Sequence, residues 1–132
     1  MSLTWNEIRI RASQFSKEWA GETYEKGESQ SFYNDFFEIF GVKRRSVARF
    51  ERHIKRLGRY SGYIDVFWPG ILIAEHKSRG VNLEDAANQA DDYHDALEEH
   101  ERPRFRLVCD FEKFELFDLE TQRSSAFRIE QL

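Results

Sequence analysis

A chain of 132 residues that is 40% hydrophobic and 15% aromatic, with twelve Phe, carries ample material for one packed core; this excludes a disordered segment, and the length is too short for two ordinary domains. Its net charge of −4 argues against a free-standing nucleic-acid grip, because phosphate contacts need Lys and Arg in surplus. A single cysteine, Cys109, excludes an internal disulfide and a zinc cluster; with no signal peptide and no apolar run of membrane-spanning length, the expected setting is the reducing cytoplasm, away from any membrane.

In chain order, Leu3, Ile8, Ala12, Phe15 and Trp19 recur at helical intervals behind Thr4 or Asn6 as a cap, which predicts a first amphipathic helix over residues 3–20. Gly21 to Ser29 reads as a polar connector. A second helix is predicted from Ser29 or Gln30 to Phe40, because Phe32, Phe36, Phe37, Ile39 and Phe40 form a wide apolar stripe and Gly41 is a natural stop. From Val42 to Arg59 the composition turns basic: Lys43, Arg44, Arg45, Arg49, Arg52, Lys55, Arg56 and Arg59 stand against one acid, Glu51. Here Val47, Phe50, Ile54 and Leu57 follow helical spacing, whereas Ala48, Phe50, Arg52 and Ile54 alternate; the reading adopted is a strand that partners the next element.

That element is a hairpin. Two apolar segments, Gly62 to Phe67 and Ile71 to Ala74, flank the turn Trp68-Pro69-Gly70. Beyond a loop at Ser78 to Asn82, a third helix is predicted from Leu83 or Glu84 to about Glu99, with Ala86, Ala87, Ala90, Tyr93 and Leu97 as a small-residue face for close packing on a sheet. Two more strands are predicted, Arg104 to Phe111 and Phe114 to Leu119, joined at Glu112-Lys113, and the tail from Glu120 is polar until Phe127 and Ile129. No repeat or linker divides the chain. The order predicts a single α/β domain, a sandwich whose mixed β-sheet is flanked by helices.

The hairpin carries charge where a core strand has none. Asp65 interrupts its first strand, and Glu75 and Lys77 end the second on one face with His76 turned away. Two converging carboxylates repel unless a cation sits between them, and oxygen ligands suit Mg²⁺. Phosphodiester hydrolysis needs an activated water and positive charge against a developing oxyanion, which such an ion with a neighbouring Lys supplies. Charged residues at strand ends also commonly just face solvent, so this spacing alone is a loose pattern.

The run Gly-Tyr-Ile-Asp-Val-Phe-Trp-Pro-Gly-Ile-Leu-Ile-Ala-Glu-His-Lys-Ser, residues 62–78, resembles the nuclease motif at the start of MmeI-like fused restriction and modification enzymes, members of the PD-(D/E)XK nuclease superfamily. Glu28-x-Gln30-Ser31-Phe32 with Phe36 to Gly41 is similar to that family's second helix, and Leu83 to Tyr93 to its helix after the motif; the resemblance spans Glu25 to Leu119. It implies a restriction-endonuclease-like sandwich and Mg²⁺-dependent cleavage of double-stranded DNA, with Mn²⁺ as a substitute ion. Asp65 and Glu75 would be metal ligands, joined by the backbone carbonyl of His76, and Lys77 the catalytic lysine. Ile64 stands where the superfamily motif has Pro. Glu28 occupies the position of a third acid, against the plainer reading that it favours the helix dipole; Glu38 and Glu51 remain alternatives. Gln89 and Tyr93, four apart on one helical face, resemble the Gln-x-x-x-Tyr motif that faces the active site in RecB-like nucleases, although a Tyr in an Ala-rich face is commonly core packing.

Beside a phosphodiesterase site the eight basic residues of 43–59 read as a surface that contacts the DNA backbone and positions it without reading sequence. No Gly-rich S-adenosylmethionine loop and no Asn-Pro-Pro-Tyr motif occur. The expectation is therefore a nuclease domain, residues 1–132, from a larger polypeptide in which methyltransferase and target-recognition domains lie outside this chain and only the methyltransferase uses S-adenosylmethionine. Two alternatives stand beside it: an inactive nuclease-fold DNA-binding or structural module, and a free-standing repair or phage-defence nuclease. His53, His76, His94 and His100 are scattered without metal spacing and read as structural or exposed side chains, Cys109 reads as a buried small residue, and Trp68 as a packing residue of the hairpin.

Overall fold

The computed structural model describes residues 3–22, 25–54, 62–77 and 83–131. Helix α1 (Trp5–Trp19) starts where Thr4 Oγ1 accepts the Glu7 N–H at 3.1 Å, and it buries Ala12, Phe15 and Trp19. Helix α2 (Glu25–Ile39) buries Phe32, Tyr33, Phe37 and Ile39 against it. Phe32 is the hub of this interface, with ring centroids 5.0 Å from Phe15, 5.3 Å from Trp19 and 5.2 Å from Phe111. Gly41, at φ 73°, accepts the left-handed turn that ends α2 and donates to the Glu38 carbonyl at 3.0 Å.

A short helix α3 (Arg44–Val47) leads into β1 (Arg49–Ile54), and β2 (Gly62–Trp68) and β3 (Leu72–His76) form the hairpin. Helix α4 (Leu83–Ala96) crosses to β4 (Phe105–Cys109), followed by β5 (Lys113–Asp118) and β6 (Arg123–Arg128). The six strands lie in the order β1-β2-β3-β4-β5-β6, with every neighbouring pair antiparallel except β3–β4. That parallel pair demands a crossover, which α4 supplies. Alternation then sorts the core. Val66, Ala74, Leu107 and Phe114 join the α1–α2 cluster, while Phe67 and Ile73 meet Ala90 and Tyr93 of α4, and Leu97 just beyond it, on the other face. The result is a mixed sheet between helices, the restriction-endonuclease-like sandwich.

Three elements depart from the sequence reading. Helix α2 begins at Glu25, so the polar connector is shorter than Gly21 to Ser29; Glu25 and Glu28 favour a helix N-terminus, and the roughly 1 kcal/mol cost of Gly27 is offset by the aromatic burial downstream. The basic segment is helix first and strand second. Arg44 decides this: its Nε donates to Asn34 Oδ1 at 2.8 Å and its Nη1 to the Ala48 carbonyl at 3.0 Å, closing a helical turn before the strand can start. Finally, β6 lies in the polar tail. Its residues are almost all exposed at the edge of the sheet, so no apolar alternation announces it.

Candidate functional site

The β2–β3 ladder runs Trp68↔Leu72, Phe67↔Ile73 and Val66↔Ala74 and stops there. The next two positions, Asp65 and Glu75, exchange side chains for carbonyls. His76 N–H donates to Asp65 Oδ2 at 2.8 Å, and Asp65 N–H reaches Glu75 Oε1 at 3.4 Å. Two acids are thus tied across the strands by backbone donors, one oxygen each. His76 N–H is available for this because the following donor, Lys77 N–H, turns to the Cys109 carbonyl of β4 at 2.9 Å.

On the β1 side the sheet is distorted at the same level. The β1–β2 register pairs Phe50↔Val66 and Arg52↔Ile64 but omits Glu51 and Asp65 between them, and Glu51 adopts φ 52°. Side-chain alternation slips there: Val66 faces α1 and α2, yet Ile64, two residues earlier, lies in the cluster under α4. A regular strand would have sent Asp65 into an unbroken ladder. The slip opens a cleft of about 480 Å³ whose lining includes Asp65, Glu75, Lys77 and Gln89, with Glu51 from β1 and Ser29, Gln30 and Tyr33 from α2.

Electrostatics fit an incomplete charge balance. Glu75 is 1% exposed, and burial first, then the Asp65 charge and hydrogen bond, push its carboxyl up to about 10. Lys77 Nζ donates to Gln89 Oε1 at 3.0 Å and Gln89 Nε2 to Tyr93 Oη at 2.9 Å, so the ammonium is held by an amide that the buried Tyr93 holds in turn. Behind the hairpin, His76 is buried and its Nδ1 lies 2.8 Å from the Tyr33 hydroxyl. Burial lowers the imidazole to about 4 and raises the Tyr33 phenol well above its ordinary value.

Asp65, Glu75, His76, Lys77, Gln89 and Tyr93 are therefore brought together at one end of the hairpin. Glu28 does not line the cleft, and Glu38 lines a separate shallow pocket beside Arg11; of the three candidate acids Glu51 alone reaches the cleft. The basic residues divide. Arg44 is bonded internally and lies 3.9 Å over the Phe50 ring, and Arg52 pairs with Glu101 at 3.2 Å, whereas Lys43, Arg45 and Arg49 are exposed. Lys55, Arg56 and Arg59 lie outside the described residues. Sequence reasoning passed over Tyr33, Ser29 and Gln30. The signal was present, since Ser29 and Gln30 precede Tyr33 by four and three positions and share its helical face, but the Phe stripe around them read as core alone.

The donor set is chemically suited to Mg²⁺: two carboxylates and a backbone carbonyl, all oxygen. Among the described residues no group of three or more His, Cys, Asp and Glu is placed to hold an ion. No helix among the described residues is long and apolar enough to cross a membrane. Comparison with curated proteins and with solved structures found no match. A family model described as MmeI, N-terminal domain, matches residues 10–132. The chain thus belongs to that family, the N-terminal domain of MmeI-like restriction enzymes.

Proposed function

We propose that this domain is a Mg²⁺-dependent endonuclease that hydrolyses phosphodiester bonds of double-stranded DNA, working within a fused restriction and modification polypeptide. The observation that carries the reading is the end of the β2–β3 ladder, where two carboxylates are tied across the strands by backbone N–H groups at the wall of a cleft that also holds Lys77. Asp65, Glu75 and the His76 carbonyl would hold the ion. Bound there, it supplies an activated water and positive charge toward the phosphoryl oxygens.

The chain's own groups do the rest. His76 N–H fixes one Asp65 oxygen, and the other would be the ligand to the ion. Lys77, with one donor spent on Gln89, keeps two N–H groups for the scissile phosphate and the oxyanion that develops on it. Gln89 and Tyr93 hold the ammonium in a fixed place at the cleft wall. Glu51 is the better-placed third acid than Glu28, because it faces Asp65 in the broken register and lines the cleft. Ser29 and Gln30 offer neutral hydrogen-bonding groups to phosphate at the cleft rim, and Lys43, Arg45 and Arg49 lend charge to the DNA backbone. Sequence choice and S-adenosylmethionine binding are assigned to target-recognition and methyltransferase domains elsewhere in the polypeptide.

Cleavage of plasmid DNA by the natural polypeptide tests the reading. Lys77→Ala and Asp65→Asn are each expected to lower the cutting rate by at least about a hundredfold with the circular dichroism spectrum unchanged. Undiminished cutting by either variant sinks the assignment.

A further inference from the structure

A polar ring sits where the core calls for an apolar one. His76 is 3% exposed, with its ring centroid 4.3 Å from Phe111, 5.6 Å from Phe32 and 5.4 Å from Tyr33. Its Nε2 has no hydrogen-bond partner, so the 2.8 Å contact between Nδ1 and the Tyr33 hydroxyl is the one polar tie of the ring among the described residues. A buried polar group left half-satisfied costs free energy that a Leu or Phe at this position would avoid. The backbone of the same residue holds Asp65 Oδ2 at 2.8 Å, beyond the last paired position of the ladder.

We propose that Tyr33 and His76 are a positioning pair: the hydroxyl of α2 anchors the imidazole, the imidazole fixes the end of β3, and the His76 N–H sets the rotamer of Asp65. The proposal rests on the reading of Asp65 as a metal ligand. On the β2 side the ladder has already ended, so the side-chain bonds of Asp65 and Glu75 tie the two strands at this level, while β4 holds the other edge of β3 through Glu75↔Val108 and His76↔Cys109. The pair also couples the helix that lines the cleft with Ser29 and Gln30 to the carboxylate on its opposite wall. Side chains that orient a metal ligand without themselves touching the metal commonly govern affinity about tenfold or more.

Three measurements on the chain separate this role from mere packing. In Tyr33→Phe, calorimetric Mn²⁺ affinity is expected to fall about tenfold, and the His76 amide in metal-free protein to exchange with solvent at least about tenfold faster, while the thermal midpoint moves only a few degrees. His76→Asn, whose amide oxygen takes roughly the place of Nδ1, is expected to keep most of the affinity despite its smaller volume, and His76→Leu to lose it despite its apolar fit. Wild-type affinity and amide protection in Tyr33→Phe would overturn the pair while leaving the metal reading intact. Equal Mn²⁺ binding by Asp65→Asn and the unaltered chain would instead overturn the metal reading and, with it, the pair's purpose.

Discussion

At the scale of single residues, Glu75 sets a conflict that pH exposes. Its folded-state pKa of about 10 lies above the ordinary 4.5, so the folded chain keeps a proton that the unfolded chain releases, and stability falls as pH rises between these values, by up to about 1.4 kcal/mol per unit. His76, lowered to about 4, works the other way: below its ordinary 6.5 the unfolded chain gains a proton that the folded chain refuses. The two slopes oppose each other up to about pH 6.5, and above it Glu75 acts alone. Metal-free protein is therefore expected to lose thermal stability from pH 6.5 to 9, and Glu75→Gln to remove that slope and raise the midpoint at pH 8. Calorimetric scans across this range decide it; an unchanged slope in the variant would place the titration elsewhere. A carboxylate that costs stability for the sake of a ligand fits a functional site.

At the scale of elements, the β1–β2 distortion is concentrated in Glu51, whose φ of 52° strains any residue with a Cβ. Glu51→Gly is expected to relax the backbone by about 0.5 kcal/mol after the entropy cost of glycine, a rise of about 2 °C in the midpoint, while weakening Mn²⁺ binding. A fall in the midpoint would mean that the Glu51 side chain supports the fold. This element also marks where sequence reasoning stopped. The hairpin, with Asp65, Glu75 and Lys77 on it, was legible because strand alternation and a Trp-Pro-Gly turn are local signals. So was α4, through its Ala86, Ala90 and Tyr93 face. The slip opposite Asp65 was not, since a left-handed Glu depends on both strands at once and leaves no mark in either. The early start of α2 and the polar strand β6 escaped for the same reason: long-range packing and an exposed edge, not periodicity, select them.

At the scale of the whole molecule, the proposed function separates catalysis from grip. The chain's net charge of −4 is a poor match for DNA, and two of its five described basic residues in 43–52 are bound up internally, Arg44 with Asn34 and Ala48, Arg52 with Glu101. Arg45→Glu with Arg49→Glu is expected to lower the salt slope of DNA binding by about one for each phosphate deprived of its cation, with the fold untouched. Arg44→Ala is expected to cost about 1 kcal/mol of stability instead, read as a lower denaturation midpoint; the reverse pattern would move the DNA face elsewhere. The central claim is that the broken ladder of the hairpin is a divalent-metal site. Anomalous diffraction from crystals soaked in Mn²⁺ tests it most directly. A single peak within about 2.2 Å of a carboxylate oxygen of both Asp65 and Glu75 is the expected result, and a cleft without such a peak at saturating Mn²⁺ would contradict it.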